Sequence, residues 1–202
     1  MMAAIKWIFF DLGSTLLDET ACYQQRIRET TAGTDVSPAV FADIIKQMAA
    51  CSDDPYREAV RYFNLKKTKW HSELETLYPY TAQVLQALFP KYKLGILANQ
   101  PAGTKQRLDA CGIGSHFDLI LASAEAGLAK PDPSFFSLAL NRAGCAPQEA
   151  VMVGDRLDND ILPAKNCGMK TVWVRQGFAK DRPLSDLPDR TVDTLPEILQ
   201  FL

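Results

Sequence analysis

From Pro79 onward, short apolar runs alternate with amphipathic stretches of helical period, and no other feature constrains the fold of this chain more tightly. Leu94–Ala98, Leu119–Leu121, Ala150–Val153 and Thr171–Val174 read as strands. Thr81–Leu88, Thr104–Cys111, Ser134–Arg142 and a stretch near Asp158–Cys167 read as helices between them, with a closing helix at Leu195–Leu202. Strands joined through helices of this length pair in parallel, and a parallel sheet is covered by helices on both faces. The apolar run that ends at Ile8-Phe9-Phe10 adds a first strand at the N-terminus.

The stretch from Glu19 to Tyr78 breaks this rhythm. It carries no clear strand and four helical candidates, Ala21–Thr30, Pro38–Ala50, Pro55–Asn64 and Thr68–Leu77. Ser37-Pro38 and Asp54-Pro55 place a capping side chain just before a proline, the pairing that opens helices. The expected organisation is an α/β, Rossmann-like parallel-sheet core from residues 1–18 and 79–202, with an all-helical insert at 19–78.

With 202 residues, about half of them apolar, the chain can bury a full core. Its five cysteines are scattered and form no Cys-x-x-Cys pair, so they read as reduced, mostly buried thiols rather than disulfides or zinc ligands. Lys6 interrupts the first apolar run, which reads as a strand and not a signal peptide. No run reaches the ~20 residues of a membrane span. A formal net charge of −2 supplies no cationic field for nucleic acid, and a cytoplasmic protein acting on small molecules is expected.

Ligands of such sheets bind beyond the carboxyl ends of the strands. Four of those ends carry reactive side chains: Asp11 with Thr15; Ala98-Asn99; Lys130-Pro131-Asp132-Pro133; and Gly154-Asp155, followed by Asp158 and Asp160. In order and spacing they resemble the haloacid dehalogenase-like superfamily of aspartate-nucleophile phosphatases and dehalogenases. Its C1-capped branch inserts a helical cap after the first strand. The segment Ala124–Pro133 and the Gly-Asp-x4-Asp segment carry most of the resemblance, which extends over essentially the whole chain.

The resemblance implies Asp11 as nucleophile and Lys130 as the cation that neutralises it and the transferring phosphate. Thr15 and Asn99, with Lys130, would bind phosphate oxygens. Carboxylates converging on one spot repel each other, so a divalent cation is expected between them, and hard oxygen donors point to Mg2+. Its implied ligands are the Asp11 and Asp155 carboxylates and the Gly13 carbonyl, with Asp160 in support. The implied substrate is a small phosphate ester, and the expected assembly a monomer or homodimer.

Three positions depart from the family pattern. Gly13 stands where a second acid would protonate the leaving group and then activate water. Ala98 replaces a phosphate-binding hydroxyl residue, and Ser14 replaces a glycine. Loss of a general acid-base group costs on the order of 10²- to 10⁴-fold. Weakened catalysis is therefore expected, with Gly13→Asp as the change that would recover part of it, about 10-fold or more on alkyl phosphates. Two other readings follow from the same departures: a non-catalytic protein that binds a phosphate ligand or a partner, and a metal-independent dehalogenase.

The remaining polar residues have plainer readings. Asp158 is expected to cap the following helix. His71 and His116 read as structural, Trp7 and Trp173 as core. Arg26, Arg28 and the Lys66–Trp70 cluster read first as solvated residues of the insert, with Arg26 and Arg28 the better candidates for specificity.

Overall fold

The computed structural model describes residues 4–202, so residues 1–3 of the expected core lie outside the described residues. Six strands form one sheet: β1 (Trp7–Phe10), β4 (Lys93–Ala98), β5 (Leu119–Ala122), β6 (Ala150–Gly154), β7 (Lys170–Val174) and β8 (Arg190–Val192). Their order is β5-β4-β1-β6-β7-β8, and every pairing is parallel. This is the Rossmann-like α/β architecture expected from the alternation.

Burial on both faces explains why the strands read as continuous apolar runs. Side chains alternate across the sheet, so Ile8 and Phe10 of β1 join Leu94, Ile96 and Val153 on one face. The same face holds Val84, Leu85 and Leu88 of helix α4 (Thr81–Leu88). Phe9 points the other way, into a cluster with Leu97, Met152 and the adjacent pair Phe135 and Phe136 of helix α7 (Pro133–Ala143). The remaining core helices are α5 (Thr104–Ala110), the short α6 (Ser123–Ala126) and α8 (Leu162–Asn166).

Helices α1 (Thr20–Thr31), α2 (Pro38–Ala49) and α3 (Pro55–Tyr62) follow the first strand and gather around Phe41, Ile45, Tyr56, Ala59 and Val60. The Ser-Pro and Asp-Pro starts hold: Ser37 accepts from the Val40 amide and Asp54 from the Arg57 amide. The chain enters and leaves this helical segment through a two-stranded antiparallel ribbon, β2 (Leu17–Asp18) against β3 (Thr76–Leu77).

Four local expectations are corrected. Thr68–Leu77 is not a helix. Its side chains bind outward instead of letting the backbone coil, with the Thr68 hydroxyl at Thr30 and Tyr56 and the His71 ring between Glu29 and Glu73. Only a 3-10 turn at Ser72–Leu74 interrupts it before β3. The stretch Asp158–Cys167 divides into a π-helical turn, Leu157–Ile161, and α8. The closing segment Leu195–Gln200 is a 3-10 helix, and strand β8 at the sheet edge is too short, at three residues, to show alternation. All five cysteines are free, but Cys51 and Cys111 are exposed and only Cys22 is fully buried.

Among the described residues no helix is long and apolar enough to cross a membrane.

Candidate active site

The sheet order reverses direction at β1, which has β4 on one side and β6 on the other. The crevice beyond the strand ends at such a switch point is where side chains from several connections meet. Asp11 follows β1, its amide donating to the Val153 carbonyl at 2.9 Å so that pairing with β6 runs one residue past the strand. The chain then winds around a single acceptor. The Leu12 carbonyl receives the amides of Thr15, Leu16 and Leu17, and Ser14 adopts φ 53° at the crest of the turn.

Asn99 follows β4 and clamps the backbone of Lys130. Its Nδ2 donates to the Lys130 carbonyl and its Oδ1 accepts the Lys130 amide, each at 2.8 Å. The Lys130 ammonium, in a residue only 4% exposed, lies 2.5 Å from Asp11 Oδ1 and 2.5 Å from Asp160 Oδ1.

Asp155 and Asp160 follow β6. The π-helical turn folds Asp160 back beneath the strand end, where its Oδ2 accepts the Arg156 amide at 3.0 Å. Gly154 makes that return possible, because a Cβ there would lie 2.6 Å from the Cβ and Cγ of Asp160. The Trp173 indole donates to the Asp155 carbonyl at 2.7 Å, fixing the backbone of that residue. Carboxylate oxygens of Asp11, Asp155 and Asp160 come within 4.8 Å of one another.

One ammonium does not neutralise three carboxylates. Burial, reinforced by the charges of Asp160 and Asp11, pushes the Asp155 carboxyl well above the usual range. Burial raises Asp160 too, in spite of Lys130. Burial pulls the Lys130 ammonium down, but Asp11 and Asp160 outweigh it and hold the pKa above the ordinary lysine value. Ionising all three carboxylates would therefore leave an excess of negative charge in a place poor in water, which is why protons are retained there. An oxygen-rich, cation-deficient donor set of this kind fits a hard divalent ion.

A cavity of about 400 Å³ opens above this cluster, lined by Asp11, Gly13, Asn99, Lys130, Asp155 and Asp160 from the core and by Tyr23, Arg26, Lys67 and Trp70 from the helical segment. Tyr23 packs edge-on against Phe178, centroids 4.6 Å apart, and Arg182 faces Asp53 at 3.5 Å, so the helical segment is seated on the turn Gly177–Asp181.

The crevice thus gathers every expected site residue except Thr15. That residue is fully buried, its hydroxyl has no partner, and it does not line the cavity. Ala98 is likewise fully buried at the end of β4. Asp158 caps nothing; it is exposed and holds the Arg156 guanidinium with both oxygens. Arg28 is exposed, but Arg26 is buried, with its guanidinium 3.8 Å from the Tyr56 ring centroid and its Nη2 donating to the Thr68 carbonyl. Neither histidine lines the cavity.

One acid at the site was not anticipated. Glu19 occupies the N-cap position of α1 but makes no capping bond with its side chain. The carboxylate turns toward the cavity and accepts from Ser14 Oγ at 2.9 Å. Burial, against the lowering effect of that bond and with help from Asp11, pushes its pKa up to about 8.

A family model described as haloacid dehalogenase-like hydrolase matches residues 8–174. The chain belongs to this family. Among curated proteins, it is 30% identical over 205 residues to the pyrophosphatase PpaX of Bacillus velezensis, covering 96% of this chain and 94% of that one. It is 40% identical over 106 residues to the phosphoserine phosphatase of Thermus thermophilus, covering 52% of this chain but only 42% of that protein. A glyceraldehyde 3-phosphate phosphatase of Methanocaldococcus jannaschii is 37% identical over 127 residues, 62% of this chain and 56% of the relative. The chain thus matches only about half the length of these last two. Among solved structures, a HAD phosphatase from Thermococcus onnurineus superposes with a TM-score of 0.67 at 27% identity, covering 97% of each chain. A dehalogenase superposes with a TM-score of 0.69 at 20% identity, which establishes likeness of fold alone.

Proposed function

We propose that the chain is a Mg2+-dependent phosphatase of a small phosphate ester that works through an aspartyl-phosphate on Asp11. The observation that carries this reading is the convergence of Asp11, Asp155, Asp160 and Lys130 at the switch point of the sheet. The pyrophosphatase and phosphatase names of the full-length and partial relatives support it.

In this reading residues 1–18 and 79–202 are the catalytic core and residues 19–78 the cap, with the β2–β3 ribbon as the stem between them. Asp11, Asp155 and Asp160 would hold the metal, joined by the Gly13 carbonyl that the family resemblance implies. Bound Mg2+ supplies charge neutralisation for the phosphate and for the carboxylates around it. Lys130 holds Asp11 in place and faces the transferring phosphoryl group with a fixed positive charge. Asn99 acts by positioning, since both ends of its amide are engaged with the Lys130 backbone. The helical segment roofs the cavity and keeps bulk solvent from the reacting groups. Against a metal-independent dehalogenase stands the full acidic set, which such chemistry does not need.

A panel of phosphorylated metabolites, assayed for phosphate release with Mg2+ and with a chelator, tests the proposal. Turnover of at least one ester that ceases on chelation is expected. A panel wholly inert in Mg2+, or release of halide from a haloacid in chelator, would sink it.

Metal binding should depend on pH in a definite direction. The Asp155 and Asp160 carboxyls are raised, so as pH falls protons compete with the ion for these groups. From pH 8 to pH 6, Mg2+ affinity is expected to weaken, by up to about 10-fold per unit for each proton displaced. Calorimetry in two buffers of different ionisation enthalpy reads both the affinity and the proton release. A pH-independent affinity, or equal binding by Asp155→Asn, would show that the ion sits elsewhere.

A further inference from the structure

A Cβ built on Gly13 would run into the carboxylate of Glu19, lying 2.8 Å from its Cδ and 3.0 Å from Oε2, with Oε1 closer still. The space that a longer side chain at position 13 would enter is therefore already filled by a carboxyl group, delivered from the first residue before α1. Nothing about helix capping requires Glu19 to be there, since its side chain makes no capping bond. Ser14 holds it in place through a 2.9 Å hydrogen bond, from a backbone conformation with φ 53° that a residue with a Cβ rarely adopts.

Phosphoryl transfer to Asp11 leaves an alkoxide that needs a proton, and the acyl phosphate then needs a water stripped of one. The other cavity-lining acids are already committed. Asp155 and Asp160 belong to the cluster with Asp11, Asp53 faces Arg182, and Asp54 caps α3 through the Arg57 amide. Among the described residues no histidine lines the cavity. Glu19 is left.

We propose that Glu19 is the proton donor and acceptor of this active site, replacing from a distant position the side chain that Gly13 lacks. The assignment rests on the phosphatase reading given above, and within it on the position of the carboxyl group. In the first step an Asp11 oxygen bonds to phosphorus and the bond from phosphorus to the ester oxygen breaks. Glu19 gives its proton to that oxygen, and an alcohol leaves. In the second step the Glu19 carboxylate takes a proton from a water whose oxygen attacks phosphorus. The bond to Asp11 breaks, inorganic phosphate departs, and both acids return to their starting states.

The placement also changes what Gly13→Asp should do. With Glu19 present the new side chain competes for occupied space, so the single substitution is expected to give no gain. Room appears only when Glu19 is shortened.

The experiment compares wild type, Glu19→Gln, and the double variant Gly13→Asp with Glu19→Ala, on the best alkyl phosphate found and on p-nitrophenyl phosphate. Glutamine keeps an acceptor for Ser14 but neither gives nor takes a proton. Glu19→Gln should lose on the order of 10²-fold or more on the alkyl ester. On the aryl ester, whose leaving group needs no acid, it should release a burst of nitrophenol equal to the enzyme and then stall as a phosphoenzyme seen by intact mass. The double variant should recover at least about a tenth of the lost alkyl turnover. Full alkyl activity in Glu19→Gln would overturn the assignment while leaving the phosphatase reading intact. So would a loss with no phosphoenzyme and no recovery in the double variant, the outcome of a merely structural role. A wild type inert on every ester would overturn the reading and the assignment together.

Discussion

Asp11→Asn is expected to cut phosphate release by roughly 10⁴-fold or more at saturating substrate and Mg2+, the scale on which loss of a covalent nucleophile is felt. An amide has the shape of the carboxylate but not its lone-pair basicity, and it forms no acyl phosphate. The substitution also removes one of the two carboxylates against the Lys130 ammonium, yet Asp160 remains at 2.5 Å, so the lysine keeps a partner and the fold should survive. Two measurements separate chemistry from structure: steady-state phosphate release, and urea unfolding of the same protein. A folded Asp11→Asn variant that still turns over would rule out the aspartyl-phosphate and with it the central claim made for this site.

The strand–helix rhythm gave the fold away because a parallel sheet buries both faces. β1, β4, β6 and β7 must then be apolar at nearly every position, which leaves a signal that needs no partner to be read. Where burial was partial the signal failed. Thr68–Leu77 reads as a helix locally, but its conformation is set by Tyr56, Thr30 and Glu29, residues distant in the chain whose proximity no local pattern reveals. Strand β8 pairs with the β7 edge alone, and only Val192 of its three residues is buried.

The site divides along the same line. Asp11, Lys130, Asp155 and Asp160 were legible because each follows a predictable strand or loop, and parallel strands bring such ends together. Glu19 was not, since it lies six residues past Gly13 and just where the core gives way to the helical segment. Its side chain comes back only because the Leu12 carbonyl gathers three amides and turns the chain on itself. A glycine where an acid was expected, followed by a glutamate at the lip of a helix and a serine that can hold it, was the signal available. Thr15 differs in the opposite direction: the family resemblance implies a place near the phosphate, but the same turn buries its hydroxyl, which does not line the cavity.

Lys130→Met should strongly destabilise this protein. The ammonium is nearly inaccessible and sits 2.5 Å from a carboxylate oxygen on either side. Methionine replaces the aliphatic stem but leaves Asp11 and Asp160 facing each other with no counter-charge. Breaking a buried ion pair from one side costs about 3–5 kcal/mol, because the group left behind keeps its desolvation penalty and loses its compensation. In chelator the urea midpoint should fall accordingly. The loss should shrink as pH drops, since Asp160 and Asp155 already sit above the usual carboxylate range and lose their charge early on acidification. Added Mg2+ should recover part of the stability, as a second source of positive charge at the same carboxylates, but not turnover, because the fixed charge facing the phosphoryl group is gone. Arginine is no remedy, since a planar fork does not fit a pocket shaped for a compact ammonium. An unfolding midpoint unchanged from wild type would mean that the buried carboxylates are neutral or hydrated in solution, and that the charge balance ascribed to this cluster is wrong.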